Sequence, residues 1–143
     1  MEIVVIVFQL VLLLFHQATT LVNFYPFNNV RNYTIRERLL ECFVNGVIMA
    51  APVVGWVFKI EWMITASLFI YPILLEGEYI NWWEHYLFTP TKEWIKTYDR
   101  IFKETIIVLP PIKNNPIPNL EHTILHSLTL ATTVVTYIYY FTR

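Results

Sequence analysis

The sequence predicts an all-α protein, a polytopic membrane four-helix bundle with an additional amphipathic surface helix in the long loop between spans three and four. Three observations carry this expectation. Hydrophobic residues make up 56% of the 143 and charged residues only 15%, where an ordinary soluble domain has about one quarter charged. Four apolar runs, at about 3–22, 39–58, 60–76 and 120–141, each approach the ~20 residues that cross a hydrocarbon layer at ~1.5 Å per residue. Between the third and fourth runs, an interfacial segment at about 79–104 mixes Trp and Tyr with Lys. The length leaves room for a single integral membrane domain.

The first run is interrupted only by Gln9, His16, Gln17, Thr19 and Thr20. A cleaved signal peptide would want a basic start, and no Lys or Arg precedes Arg31, so this run is expected to be a retained span. The second run opens on Thr34-Ile-Arg-Glu37, a capping box that places the helix start near Ile35. Pro52 should kink that helix or end it early. Only Lys59 and Glu61 mark the boundary with run three, so the two form a tight hairpin or one broken unit. Pro72 lies near the far end of run three. Asn119 is the expected N-cap of run four, which ends in an aromatic belt of Tyr137, Tyr139 and Tyr140.

In the long segment, Trp82, Trp83, Tyr86 and Phe88 read as an interfacial belt. Thr89-Pro90 reads as N-cap and first helical position of a helix reaching about Glu104. Its apolar Trp94, Ile95, Tyr98, Ile101 and Phe102 oppose Lys92, Lys96, Asp99 and Lys103, so it is expected to lie on the membrane surface. Pro110, Pro111, Pro116 and Pro118 make the following stretch an extended linker. The segment from Asn23 to Asn28 reads as a loop anchored by aromatics.

Charge and composition bound the partners. A net charge of −1 offers no basic footprint, so no nucleic acid is expected. Membrane lipids are the expected partners, and a bundle this small could form a homo-oligomer. The single Cys42 excludes an intramolecular disulfide and any multi-cysteine zinc site. Arg31, Arg36, Arg38, Lys92, Lys96, Arg100, Lys103 and Lys113 fall in the two loops on one side, while the other side holds only Lys59 and Arg143. The positive-inside rule then makes those loops cytoplasmic and both termini non-cytoplasmic.

The polar residues within the runs align at helical spacing. They are Gln9, His16, Thr20 and Asn23; Glu37, Glu41 and Asn45; Thr65, Pro72 and Glu76; and His122, His126, Thr129, Thr133 and Tyr137. Such stripes face a bundle interior or a wet cavity, since lipid offers them no partner. His16, Asn45 and His126 each lie six residues inside a run end on the same side, roughly 9 Å deep. A cluster of His and carboxylate groups in the cytoplasmic leaflet follows. His122 and His126, at i and i+4, could bind one metal with His16 as a third ligand. Glu41, Glu76 and Glu121 would be ligands or general acid and base. A divalent metal suits this set, as does a haem between His16 and His126. The helix motifs of zinc proteases and di-iron bundles are both absent.

A metal-free proton relay or substrate cavity explains the same residues, as does simple hydrogen bonding between helices. The functional expectation is a small membrane enzyme, metal-dependent or acid–base, acting on a lipid-like substrate that enters sideways. The alternative is a transport component or non-catalytic scaffold whose buried polar residues hold the helices together.

Overall fold

The computed structural model describes residues 2–143, and the described residues are helical with no strand beyond an isolated bridge between Ile107 and Asn119. Four helices are long and apolar enough to cross a membrane. They are α1 (Glu2–Leu21), α2 (Ile35–Phe58), α3 (Glu61–Glu78) and, last in the chain, α6 (Leu120–Thr142). A π-helical turn (Tyr79–Trp83) and a short α4 (Glu84–Leu87) prolong α3, and α5 (Lys92–Ile101) lies in the long loop. The third apolar helix thus continues to Leu87, well beyond its expected end.

Local chemistry explains the boundaries. The Thr34 hydroxyl accepts from the Glu37 N–H at 3.2 Å, and the Thr34 N–H donates to Glu37 Oε2 at 2.7 Å. This reciprocal pair starts α2 at Ile35, and the helix runs through Pro52 without breaking. It stops where Lys59 turns left-handed, with φ 56°, and Glu61 opens α3 two residues later. Asn119 caps α6 by accepting from the His122 N–H at 3.0 Å. Thr91, rather than Thr89, caps α5 by accepting from the Trp94 N–H at 3.1 Å. The helix is correspondingly shorter than expected and ends at Ile101.

The four long helices form a ring in which α1 and α3 each pack between α2 and α6. The interior is layered. At the end that holds the chain termini, Val5, Trp56 and Ile64 form one cluster, and the Arg143 guanidinium reaches Glu61 at 2.8 Å. Leu12, Met49 and Tyr71 fill the middle. At the other end Trp82, Ile101 and Phe102 form an aromatic layer with Tyr33, Trp94 and Tyr98. Large apolar side chains such as Phe43, Phe58, Trp62, Phe69 and Phe141 point outward, as they do in a bundle solvated by lipid.

Near the α2–α3 turn the helices touch, because Gly55 lacks a side chain that would lie 2.5 Å from Met63 Cβ. Farther along they part, and the space between them becomes a cleft.

Candidate functional site

The site is built at the loop-bearing end. Asn28, which is fully buried, folds the loop after α1 back onto the helix end. Its side-chain amide donates to the carbonyls of Thr19 (2.8 Å) and Val22 (2.9 Å), while its Oδ1 accepts from the Phe24 N–H at 2.6 Å. Arg38 donates to the Leu21 carbonyl at 2.8 Å. Two of the last carbonyls of α1, those of Thr19 and Leu21, are therefore satisfied by side chains. The loop is held by this polar turn rather than only by the expected aromatic anchors. The long loop docks on it through the Ile106 N–H, which donates to the Pro26 carbonyl at 3.0 Å, and the Ile106 carbonyl in turn accepts from the Leu120 N–H at the start of α6 at 2.8 Å.

A cleft of about 690 Å³ lies between α2 and α3. Its walls are apolar where Leu40, Val44, Met49, Ile73, Leu74 and Leu125 line it. They are polar where His16, Glu41, Asn45, Glu78, His122 and His126 line it. The aromatic layer and α5 close the loop-side end, with Tyr33, Trp82, Trp94, Ile101 and Phe102. Leu40, Val44 and Ile73 are also exposed on the outer surface, so the cleft reaches the flank of the bundle.

Two histidines on one face of α6 are held in opposite tautomers. Asn119 Oδ1 accepts from the His122 backbone N–H, which identifies it as the amide oxygen, and it lies 2.7 Å from His122 Nδ1. That nitrogen therefore carries a proton, and Nε2 of the neutral ring keeps its lone pair. His126 is the reverse. The Trp83 indole N–H, which can only donate, reaches His126 Nδ1 at 3.0 Å, so the proton sits on Nε2. His122 offers an acceptor and His126 a donor, one helical turn apart. Trp82 packs on both rings, with centroids 4.1 Å from His122 and 6.4 Å from His126.

His16, on α1, lies 3.4 Å from Asn45 Nδ2 and 4.0 Å from Glu41 Oε1. Glu78 Oε1 accepts from the Thr129 hydroxyl at 2.6 Å, and its Oε2 is buried with no hydrogen-bond partner among the described residues. A smaller polar chamber adjoins the cleft, where His16, Glu41 and His122 are joined by Thr19, Arg38 and Glu121. Glu121 lies 3.9 Å from His122 Nδ1. Tyr33 lines both spaces. Burial, with Glu41, Glu121 and Glu37 facing it, holds the Tyr33 phenol protonated well above the ordinary tyrosine range. Above the cleft the Arg100 guanidinium bridges to Glu37 at 2.8 Å and to the Asn32 carbonyl at 3.2 Å, tying α5 to the start of α2.

The structure thus brings together His16, His122, His126, Glu41 and Glu121 around two adjoining spaces that share part of their lining. Glu76 is exposed and lines neither, and Glu78 stands in the place assigned to it. Ser67, Tyr71 and Glu78 run along the inner face of α3 at spacings of four and seven, a pattern cut short by ending the run at 76. In α6 the buried stripe is Thr129, Thr132 and Thr136, in place of Thr133 and Tyr137. Trp82 and Trp83 do not form an outward belt, since they roof the histidines.

The arrangement bears on the cofactors expected from sequence. Among the described residues no group of three or more His, Cys, Asp or Glu is placed to hold a metal ion. The Trp83 N–H engages His126 Nδ1, whereas the three-histidine set and the His16–His126 haem pair each need a free lone pair on that ring. In the other half of the bundle two polar contacts join helices, while Gln9 Oε1 is buried without a partner among the described residues. Gln9 meets Thr136 at 3.5 Å, and Trp56 donates to Ser67 at 3.4 Å. Comparison with protein-family models, curated proteins and solved structures finds no match to this chain.

Proposed function

We propose that this protein is a small multi-pass membrane protein that admits a lipid-like molecule sideways into the cleft between α2 and α3 and performs acid–base chemistry on its polar end. The cleft carries the reading: apolar walls on Val44, Met49 and Leu74 give way, within one space, to His16, Glu41, Glu78, His122 and His126. A lipid tail would occupy the apolar part, and its head would meet the polar part. In this reading His122 Nε2 serves as general base and His126 Nε2–H as hydrogen-bond donor, roles supported by the tautomers that Asn119 and Trp83 favour. The excess of Lys and Arg in these loops supports a cytoplasmic-leaflet position for this end by the positive-inside rule, and the amphipathic pattern of α5 supports its lying along that surface. The contacts between Gln9 and Thr136 and between Trp56 and Ser67 favour a one-sided pocket over a through-route.

The test is photolabelling in nanodiscs with a fatty alcohol carrying a mid-chain diazirine, followed by peptide mapping. Labels on the inward-facing Met49, Leu74 and Leu125 are expected. Labels confined to outward residues such as Phe43, Val47 and Phe69 would overturn the reading in favour of a scaffold whose buried polar groups only hold helices together.

A further inference from the structure

We propose that Thr105, in the long loop, is the positioning residue that keeps His122 Nε2 free to act as a base. This deepens the reading above and rests on it. Thr105 lines neither the cleft nor the chamber and acts through Asn119. Every link of the connection has a fixed direction. The Phe102 carbonyl can only accept, and the Thr105 hydroxyl donates to it at 2.6 Å. With its one proton spent there, that hydroxyl has only lone pairs left for Asn119 Nδ2, which donates to it at 3.0 Å. The Asn119 amide is thereby turned so that Oδ1 faces the start of α6. There Oδ1 accepts from the His122 backbone N–H at 3.0 Å and lies 2.7 Å from the ring Nδ1. The ring proton is held on Nδ1, and Nε2 keeps its lone pair.

The surroundings hold this chain of bonds in place. Thr105 is buried and Asn119 fully so, which leaves bulk water a poor substitute for a lost partner. The bridge between Ile107 and Asn119 and the bond from the Leu120 N–H to the Ile106 carbonyl keep the loop beside the cap. Phe102, whose carbonyl begins the chain, also packs at right angles on His122, with centroids 5.2 Å apart. Reversing the Asn119 amide would set its oxygen against a hydroxyl with no proton to give, and its NH2 group against a backbone N–H. Removing the hydroxyl takes away the first of these two restraints and leaves a buried NH2 group unpaired. That penalty is comparable with the worth of the one cap bond that still holds the amide.

The experiment reads the His122 side-chain 15N shifts of the intact protein in dodecyl maltoside at neutral pH. The parent chain should show one form of His122, protonated at Nδ1. Thr105→Val, close to isosteric but without the hydroxyl, should add the form protonated at Nε2. Thr105→Ser, which restores the hydroxyl, should return the single form. His126, held by Trp83, should be the same in all three and serves as the check that the bundle is folded. Thr105→Ala replaces the valine variant if valine is not tolerated. Three results would overturn the assignment: a parent His122 protonated at Nε2, a Thr105→Val chain that keeps the Nδ1 form alone, or a serine variant that behaves like valine. The photolabelling of the cleft does not depend on Thr105. Labels confined to outward residues would therefore remove the lipid reading alone, whereas an unmoved His122 signal would remove only the role of Thr105.

Discussion

The Trp83 indole donates to His126 Nδ1 across a 3.0 Å contact between residues 43 positions apart, and this single bond decides which ring nitrogen of His126 faces the cleft as a donor. Without it, a neutral imidazole samples both tautomers. Trp83→Phe should therefore convert His126 from one tautomer to a mixture, read from the histidine side-chain 15N shifts, with His122 unchanged because Asn119 still holds it. Loss of the bond should also cost about 1 kcal/mol of stability. A single unchanged His126 signal in Trp83→Phe would show that something else sets the tautomer.

Two glycines in adjacent helices should respond in opposite senses to alanine. A Cβ at Gly55 would sit 2.5 Å from Met63 Cβ and 3.1 Å from the Ile64 nitrogen, so Gly55→Ala must push α2 and α3 apart. A loss of about 1–3 kcal/mol is expected from such overpacking. A Cβ at Gly77 meets nothing within 4 Å, and Gly77→Ala should stabilise α3 by about 0.5–1 kcal/mol. Thermal unfolding in detergent, followed by helical circular dichroism, would rank the two against the parent chain.

Asn28 closes the end of α1 with three hydrogen bonds from one buried side chain. Asn28→Ala would leave two carbonyls and one N–H to find other partners. The expected cost is about 1–3 kcal/mol, with faster hydrogen exchange over residues 19–28. Asn32→Ala, which removes one exposed bond to the Arg100 carbonyl, should lie within about 0.5 kcal/mol of the parent.

Tyr33 gives a pH dependence with a defined sign. Its folded-state phenol is held protonated above the unfolded value of about 10, chiefly by burial. The unfolded chain therefore releases this proton first, and stability is unaffected below the unfolded value and falls as pH rises past it. Absorbance titration at the phenolate band should give superimposable curves for the parent and Tyr33→Phe up to about pH 10.5, since Tyr33 does not ionise there. A smaller amplitude in Tyr33→Phe would show that Tyr33 titrates like an exposed tyrosine.

Much of this fold could be read directly from the chain because its causes are local. Hydropathy over about 20 residues marks the long helices, and the Thr34–Glu37 box and the Asn119 cap mark two of their starts. Helical spacing also brought His16, Glu41, His122 and His126 to one end of the bundle. Which of two neighbouring residues turns inward is a different matter. Successive side chains on a helix are about 100° apart, so a small rotation exchanges Glu76 for Glu78, or Thr133 for Thr132. That rotation is set by the facing helix, as in the bond from Thr129 to Glu78.

The sequence by itself therefore determined the four long helices, the caps at Thr34 and Asn119, and the end at which the polar groups gather. Only the tertiary structure decided the roof of Trp82 and Trp83, the opposed tautomers of His122 and His126, and the cleft between α2 and α3. The physical reason is range. Helix formation and capping are settled by groups within four residues of each other, whereas a tautomer or a cleft exists only where distant segments meet.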